Sequence, residues 1–452
     1  MIKETTLFNR MILTVLAVCT VLPLTAQTFA SQPWDLSRCI AHALAHNLHI
    51  KQQESARDQS AVELSTARWS RLPSLNGNIG QSFNFGRALQ DDNTYGDRNT
   101  QSTNFSVGTN VPLFTGLRIP HTIALQKLNL KVAIEDLKKA QEDISIQVTS
   151  AYLQILFQKE LVQVAQNQVN LSREQLHRIE AFLANGKASE AEVSEARARV
   201  AQDELSAVQT DNNYRLALLE LSQLLELPSP EGFAIVSPDE EASFSPLSLP
   251  EEIYAEAVLH KPAIQAARYR LEGATHSLRI AQSAWYPQLN FGAGIGTNYY
   301  KLSGMDNPSF SSQWNRNLNK YLQFSLSIPL FNRFETRNRV RSARIQRTSL
   351  TWQLEEVQKS LYKEIQQAYY NAVASESKYR SSRVATEASE AAFRLMSEKY
   401  ALGQANATEY DEARTRWMQA TSEGIQAKYD YLFRTKILDF YRGVPLALPA
   451  TE

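Results

Sequence analysis

The segment Ser283-Ala-Trp-Tyr-Pro-Gln-Leu-Asn-Phe-Gly-Ala-Gly-Ile-Gly-Thr-Asn-Tyr-Tyr300 constrains the fold more than any other stretch of the chain. Pro287 ends a long helical pattern, because the residue before a proline is disfavoured in the α region. Beyond it Leu289, Phe291, Ala293, Ile295, Thr297 and Tyr299 alternate with Asn290, Gly292, Gly294, Gly296 and Asn298. A strand sends successive side chains to opposite faces, so one face here is apolar and the other small, polar and uncharged. The polar face of a water-soluble sheet would be richer in Lys and Glu. Asn and Gly fit a wet lumen, with lipid on the apolar side, as in a transmembrane barrel strand.

The same text occurs earlier. Arg71-Leu-Pro-Ser-Leu-Asn-Gly-Asn-Ile-Gly80 aligns with Trp285-Tyr-Pro-Gln-Leu-Asn-Phe-Gly-Ala-Gly294 at an offset of 214, which also pairs Ala43 with Ala257, His46 with His260 and Ile50 with Ile264. Downstream the offset becomes 217, pairing Pro112-Leu113-Phe114 with Pro329-Leu330-Phe331, Gly186 with Gly403, and Glu195-Ala-Arg197 with Glu412-Ala-Arg414. The three extra residues fall between two strands, where a loop tolerates them. The expected organisation is a signal peptide over 1–30, one repeat over 31–228, a connector over 229–250, a second repeat over 251–443 and a tail over 444–452.

Lys3 and Arg10, the apolar run Met11–Leu24 and the small residues after it read as a secretory signal, with cleavage expected after Ala26 or Ala30. A lipoprotein reading at Cys19 is disfavoured by the bulky Val18. The mature chain then holds one cysteine, Cys39, and no internal disulfide. No other run approaches the ~20 apolar residues of a membrane helix. Lys+Arg and Asp+Glu both number 47, which removes any electrostatic case for a nucleic-acid partner.

Leu36 to Arg71 reads as one helix, followed by a strand with Leu75, Ile79, Phe83 and Phe85 facing one way and Asn76, Asn78, Ser82 and Asn84 the other. Gly86–Gln101 reads as a long loop, and Phe105, Val107, Val111 and Leu113 return against Asn104, Ser106, Gly108 and Asn110. Trp69, Phe114, Trp285, Tyr286 and Phe331 would form an aromatic belt at the inner membrane interface. From Pro120 to Leu183 nothing breaks a helix of roughly 100 Å at ~1.5 Å per residue. Ile144, Val148, Ala151, Ile155, Val162, Ala165, Val169, Leu176, Ile179 and Leu183 fall on alternating steps of four and three, interrupted only at Gln158 and Ser172, a coiled-coil seam. Asn185-Gly186 turns the chain and a return helix runs to about Leu227. The second repeat is expected as helix 251–286, strand 287–300, loop 301–319, strand 320–331, long helix 334–402, turn at Gly403 and a helix to about Tyr441. In its last strand Leu322, Phe324, Leu326 and Ile328 oppose Gln323, Ser325 and Ser327.

Four strands cannot close a barrel, and an open edge in lipid leaves backbone groups unpaired, so other copies must complete it. Two copies give eight strands and a filled lumen; three give twelve and a lumen with room. At this point the chain resembles the TolC family of outer-membrane efflux proteins. The residues that carry the likeness are the doubled helix–Pro–strand pattern, Val111-Pro-Leu-Phe114 with Ile328-Pro-Leu-Phe331, and the turn glycines Gly186 and Gly403. It spans Trp34 to Pro445. The resemblance implies an α+β membrane protein: a homotrimer with a twelve-stranded transmembrane β-barrel, continued by a periplasmic α-helical coiled-coil barrel. It implies an exit duct in the outer membrane for an inner-membrane pump of RND or ABC type, joined through a periplasmic adaptor at the tips Gly186 and Gly403.

No catalytic motif is present, and neither an enzymatic activity nor a cofactor is expected. Cys39, His42 and His46 share a helix face and are the one metal-ligand spacing worth weighing; the paired His46 and His260 favour packing instead. The arginines 333, 337, 339, 341, 344 and 347 read as a solvated helix face or a cationic collar beneath the barrel. Glu190, Glu192 and Glu195 follow Gly186, as Glu409, Asp411 and Glu412 follow Gly403. Carboxylates at a helix N-terminus are favoured by its dipole, by ~0.3–1 kcal/mol. The resemblance adds a role: Tyr400, Glu409 and Glu412 match a gate tyrosine and two acidic rings of a periplasmic aperture, and Glu192 matches the tyrosine's partner. Ala405 stands where some members carry an arginine that locks the gate. The lumen-facing strand residues expected are Asn76, Asn78, Asn104, Ser106, Asn290, Asn298, Gln323 and Ser325.

Overall fold

A computed structural model of the chain describes residues 33–89, 94–97, 99–237, 244 and 246–446. The signal peptide, the Asp91-Asp-Asn93 loop, part of the connector and the end of the tail lie outside them. Helices α1 (Leu36–His46) and α2 (Leu48–Trp69) lead into β1 (Ser74–Asn84). A short ribbon of β2 (Arg87–Leu89) and β3 (Tyr95–Asp97) precedes β4 (Thr100–Phe114), α3 (Arg118–Ala184) and α4 (Glu190–Leu224). The order recurs as α5 (Pro250–His260), α6 (Pro262–Ser283), β5 (Gln288–Leu302), α7 (Phe310–Arg316), β6 (Asn319–Ser327), α8 (Glu335–Ala401) and α9 (Ala407–Tyr441).

The single helix expected over Leu36–Arg71 is two, and so is the one expected over 251–286. Asn47 takes φ −58° and ψ 131°, accepts from His49 N through its own side chain (2.9 Å) and donates Nδ2 to Leu224 O (3.1 Å). In the second repeat Lys261 has φ −60° and ψ 128° ahead of Pro262. There proline forces the break; in the first repeat a capping side chain does.

The four long strands form one antiparallel sheet in the order β1-β4-β5-β6. The register pairs Asn78 with Ser106, Asn104 with Asn298, Asn290 with Ser325 and Phe291 with Phe324. Strand β6 ends at Ser327 rather than at Phe331, and it covers only part of the longer β5. The expected loop 301–319 accordingly holds α7 and closes β5's remaining edge with side-chain amides. Asn317 Nδ2 donates to Asn298 O (2.7 Å), Gln313 accepts from Tyr300 N (3.0 Å) and donates to Tyr300 O (2.8 Å), and Asn307 does the same for Leu302. The loop expected over Gly86–Gln101 contains the ribbon β2–β3.

Two hydrophobic cores pack the helices, and Tyr429 of α9 joins the first of them. Cys39, Ala43 and Ile50 meet Ile144, Val148, Ile155 and Leu221 in one; Ile253, Ala257 and Ile264 meet Leu361, Ile365, Ala372 and Leu438 in the other. These are the same positions under the offsets 214 and 217. The connector straps the first core: Trp34 bridges Ile235 in parallel, and the Tyr152 hydroxyl lies 2.6 Å from Val236 O.

Candidate functional site

At the ends of the long helices two turns are built alike. Gly186 has φ 68° and Gly403 φ 73°, values that glycine adopts without the cost a Cβ brings. Lys187 N then reaches back to Phe182 O (2.8 Å) and Gln404 N to Lys399 O (2.8 Å), closing both helices with a Schellman motif. Each return helix opens with a capping box. Glu192 N donates to Ser189 Oγ (3.3 Å) while Glu192 Oε2 accepts from Ser189 N (3.2 Å). Glu409 and Asn406 make the same exchange at 2.9 and 3.0 Å. Glu412, one turn on, pairs with Arg416 at 3.1 Å on the exposed face.

Tyr400 is tied to the other hairpin. Its hydroxyl accepts from Gln175 Nε2 on α3 (2.8 Å), and its ring stacks on Tyr410 at 4.9 Å. Burial pushes the Tyr400 pKa above its ordinary value, opposed by the Gln175 hydrogen bond and reinforced by the charges of Asp411 and Glu192. Glu192 therefore acts on Tyr400 through its field, while its carboxylate is held in its own capping box. The structure brings Tyr400, Glu409 and Glu192 to one end of the molecule, with Gly186 and Gly403.

Two residues there escaped the sequence reading. Gln175 carries no motif. Arg414 is 1% exposed, and lies 3.7 Å from Asp203 Oδ2 on α4 and 3.4 Å from Asp411 Oδ1. Its Nε and Nη2 make no hydrogen bond. Burial, then the charge of Arg199, lowers its pKa. Its counterpart under the repeat, Arg197, is exposed and bound to Glu180 (2.9 Å), so the repeat gave no hint of a buried cation.

At the opposite end the register places Asn76, Asn78, Asn104, Ser106, Asn290, Asn298, Gln323 and Ser325 on one face of the sheet. Leu75, Ile79, Leu322 and Phe324 stand on the other, 77, 77, 77 and 69% exposed. Tyr321 joins the polar face unforeseen: its ring lies over Gly294, where an added Cβ would come within 2.7 Å, and its hydroxyl reaches the place of a Cβ on Gly108 (3.3 Å). The signal was the glycine opposite it in β5. Cys39, by contrast, is fully buried in the first core, apart from the stacked rings of His42 and His46. Among the described residues no three His, Cys, Asp or Glu side chains converge on a metal position.

A four-stranded antiparallel sheet with one apolar and one small polar face, set on two 67-residue helices of roughly 100 Å, is the architecture of an outer-membrane channel. The chain belongs to the outer membrane efflux protein family, whose profile matches residues 39–226 and 253–442. It is 22% identical over 345 residues to the probable outer membrane lipoprotein SilC of Salmonella typhimurium, covering 73% of this chain and 68% of that one. It is 22% identical over 320 residues to the alkaline protease secretion protein AprF of Pseudomonas aeruginosa, covering 69% of this chain and 63% of that one. The outer membrane protein VceC of Vibrio cholerae has the same fold, with a TM-score of 0.75, 17% identity and coverage of 90 and 96%.

Proposed function

We propose that this chain is the exit duct of a tripartite efflux system in the outer membrane, passing on small molecules delivered by an inner-membrane pump and a periplasmic adaptor. The observation that carries the reading is the sheet itself. Among the described residues its two outermost strands, β1 and β6, each have one edge without a strand partner, and its polar face bears Asn, Ser and Gly. Lipid does not tolerate open edges, so β6 of one copy pairs with β1 of the next. Three copies give a twelve-stranded barrel with a water-filled lumen, continued by twelve helices as a periplasmic tunnel. The two repeats, 31–228 and 251–443, each supply two strands and one helical hairpin. Gly186 and Gly403 form the tips that meet the adaptor, and Tyr400, Glu192, Glu409 and Glu412 line the aperture.

Cross-linking of the protein in detergent is expected to show three copies, and planar bilayers to show open conductance. A stable monomer, or a trimer with no conductance, overturns the reading; the latter would make the chain a structural stalk. The likeness to AprF supports a second reading, in which the same duct releases an unfolded polypeptide. Deleting the gene and testing a panel of toxic compounds separates the two. Efflux predicts hypersensitivity, and secretion predicts loss of an exported protein with unchanged sensitivity.

A further inference from the structure

Below the sheet a groove is lined by Arg118, Ser277, Ala281, Gln288, Arg339 and Ser342. Gln288 opens β5 on the face of Asn290, so the groove lies on the lumenal side. This fixes which way each helix faces. On α8, Thr336 and Val340 are buried, with Val340 packed on Leu278 and Ala281 of α6. At about 100° per residue, Arg339 and Ser342 fall on the groove side of that packing line, and Arg337, Arg341 and Arg344 on the far side. On α6, Arg279 stands about 200° from Ser277, again away from the groove. The outward faces of two neighbouring helices therefore carry four arginines.

All four are exposed, and none forms a salt bridge among the described residues. Arg279 donates to Gln282 (3.3 Å), and the nearby carboxylate, Glu335, holds Arg339 on the groove side. Directly above stand Leu330, Phe331, Phe334, Trp285 and Tyr286, which are 93, 73, 57, 50 and 56% exposed. The rings connect to the cations: Phe331 meets Phe334 edge-on at 5.6 Å, and the Arg337 guanidinium lies 5.8 Å from the Phe334 ring centre. Counting about 1.5 Å per residue, Arg337, Arg279, Arg341 and Arg344 lie roughly 4, 9, 10 and 15 Å below this belt. A headgroup layer is about 5–8 Å deep, and an arginine extends its guanidinium towards it while its stem stays on apolar surface.

We propose that Arg279, Arg337, Arg341 and Arg344 form a basic seat for the anionic phospholipid headgroups of the membrane leaflet next to the helices. The inference rests on the barrel reading, since it takes the exposed aromatics as lying in the lipid. Guanidinium groups bind a phosphate diester bidentately, and the aromatics beside them receive its acyl chains. A soluble phosphate offers only the first of these contacts, which favours the lipid as the occupant.

The test uses the full trimer in neutral detergent, titrated with phosphatidylglycerol, phosphatidylcholine or inorganic phosphate while the melting temperature is followed. Phosphatidylglycerol is expected to raise it saturably, and the other two are not. Each Arg→Gln change should weaken the apparent affinity about fivefold, and a fourfold Arg→Lys variant, which keeps the charge but not the bidentate fork, should fall between the native protein and the fourfold Gln variant. Equal stabilisation by phosphatidylcholine or by phosphate overturns the proposal, as does an unaltered response in the fourfold Gln variant. A fourfold Gln variant that fails to assemble is replaced by the four single variants, and four unchanged affinities also overturn it. Failure of the barrel reading looks different: the protein then remains dispersed when detergent is removed, whatever its response to lipid.

Discussion

Arg414 on α9 places Nη1 3.7 Å from Asp203 Oδ2 on α4, joining the two hairpins inside the helical region. Asp203 also accepts from Gln168 Nε2 (3.2 Å) and lies 3.8 Å from Arg199. A buried cation is tolerated only while its partner stays charged. Asp203→Asn leaves Arg414 with the half-exposed Asp411 alone and is expected to cost about 3–5 kcal/mol. Arg414→Met removes the charge together with its need for a partner and should cost less. Denaturant unfolding of the two variants checks this. A loss below about 1 kcal/mol for Asp203→Asn, or a greater loss for Arg414→Met, contradicts the account.

Cys39 has no exposed surface, and burial, with Asp35 beside it, pushes its thiol up to about 12. The thiolate is the form that alkylates. On a Cys19→Ser background, iodoacetamide at pH 8 should leave the folded protein unlabelled and label it promptly in denaturant. Labelling of the folded protein should rise with pH up to the thiol's pKa. Prompt labelling of the native chain would show that the first core is open around α1.

The sheet and long helices were legible because their patterns are local and repeated: Asn-Gly alternation from Asn290, the seam from Ile144, and glycines where φ must be positive. The cores follow the same arithmetic, since Cys39 and Ile253 fill matching places. What was missed depends on partners distant in sequence. Asn47 breaks a helix because Leu224 O waits for its amide. Gln313 completes a strand edge from within a helix, a role that no periodicity announces. The break at Lys261-Pro262 was written in the sequence and was overridden by the helical composition around it. Arg414 and Gln175 belong to contacts between hairpins, which a reading one helix at a time does not reach.

The two faces of the sheet should respond differently to a cation. Phe324 is 69% exposed and its ring lies 5.0 Å from that of Phe291 on the apolar face, whereas Ser325 faces Asn290. Phe324→Arg is expected to block assembly, at a cost of roughly 2–4 kcal/mol near the membrane midplane. Ser325→Arg should assemble and lower cation conductance in bilayers. Equal tolerance of both changes would contradict the assignment of lipid and lumen.

The proposed aperture can be tested apart from helix capping, because glutamine keeps the capping bonds and removes the charge. Glu409 accepts from Asn406 N (3.0 Å) in a capping box, a role that glutamine also fills. Glu409→Gln therefore keeps the box and removes the charge. Glu412 is bound only to the exposed Arg416, so Glu412→Gln gives up a surface pair of about 0–1 kcal/mol. Under the proposed threefold symmetry the two positions would supply six carboxylates around one opening. Such a ring favours cations, is plugged by multivalent ones, and weakens as salt screens it. The double Gln variant is expected to assemble normally, lose block by polyvalent cations and lose part of its cation selectivity. Tyr400→Phe acts by another route: it removes the hydrogen bond from Gln175, about 1 kcal/mol between hairpins, and should raise resting conductance with selectivity unchanged. Bilayer recordings of the two variants decide the matter. Unchanged selectivity in the Gln pair would leave Glu409 and Glu412 as helix-end residues and remove them from the aperture.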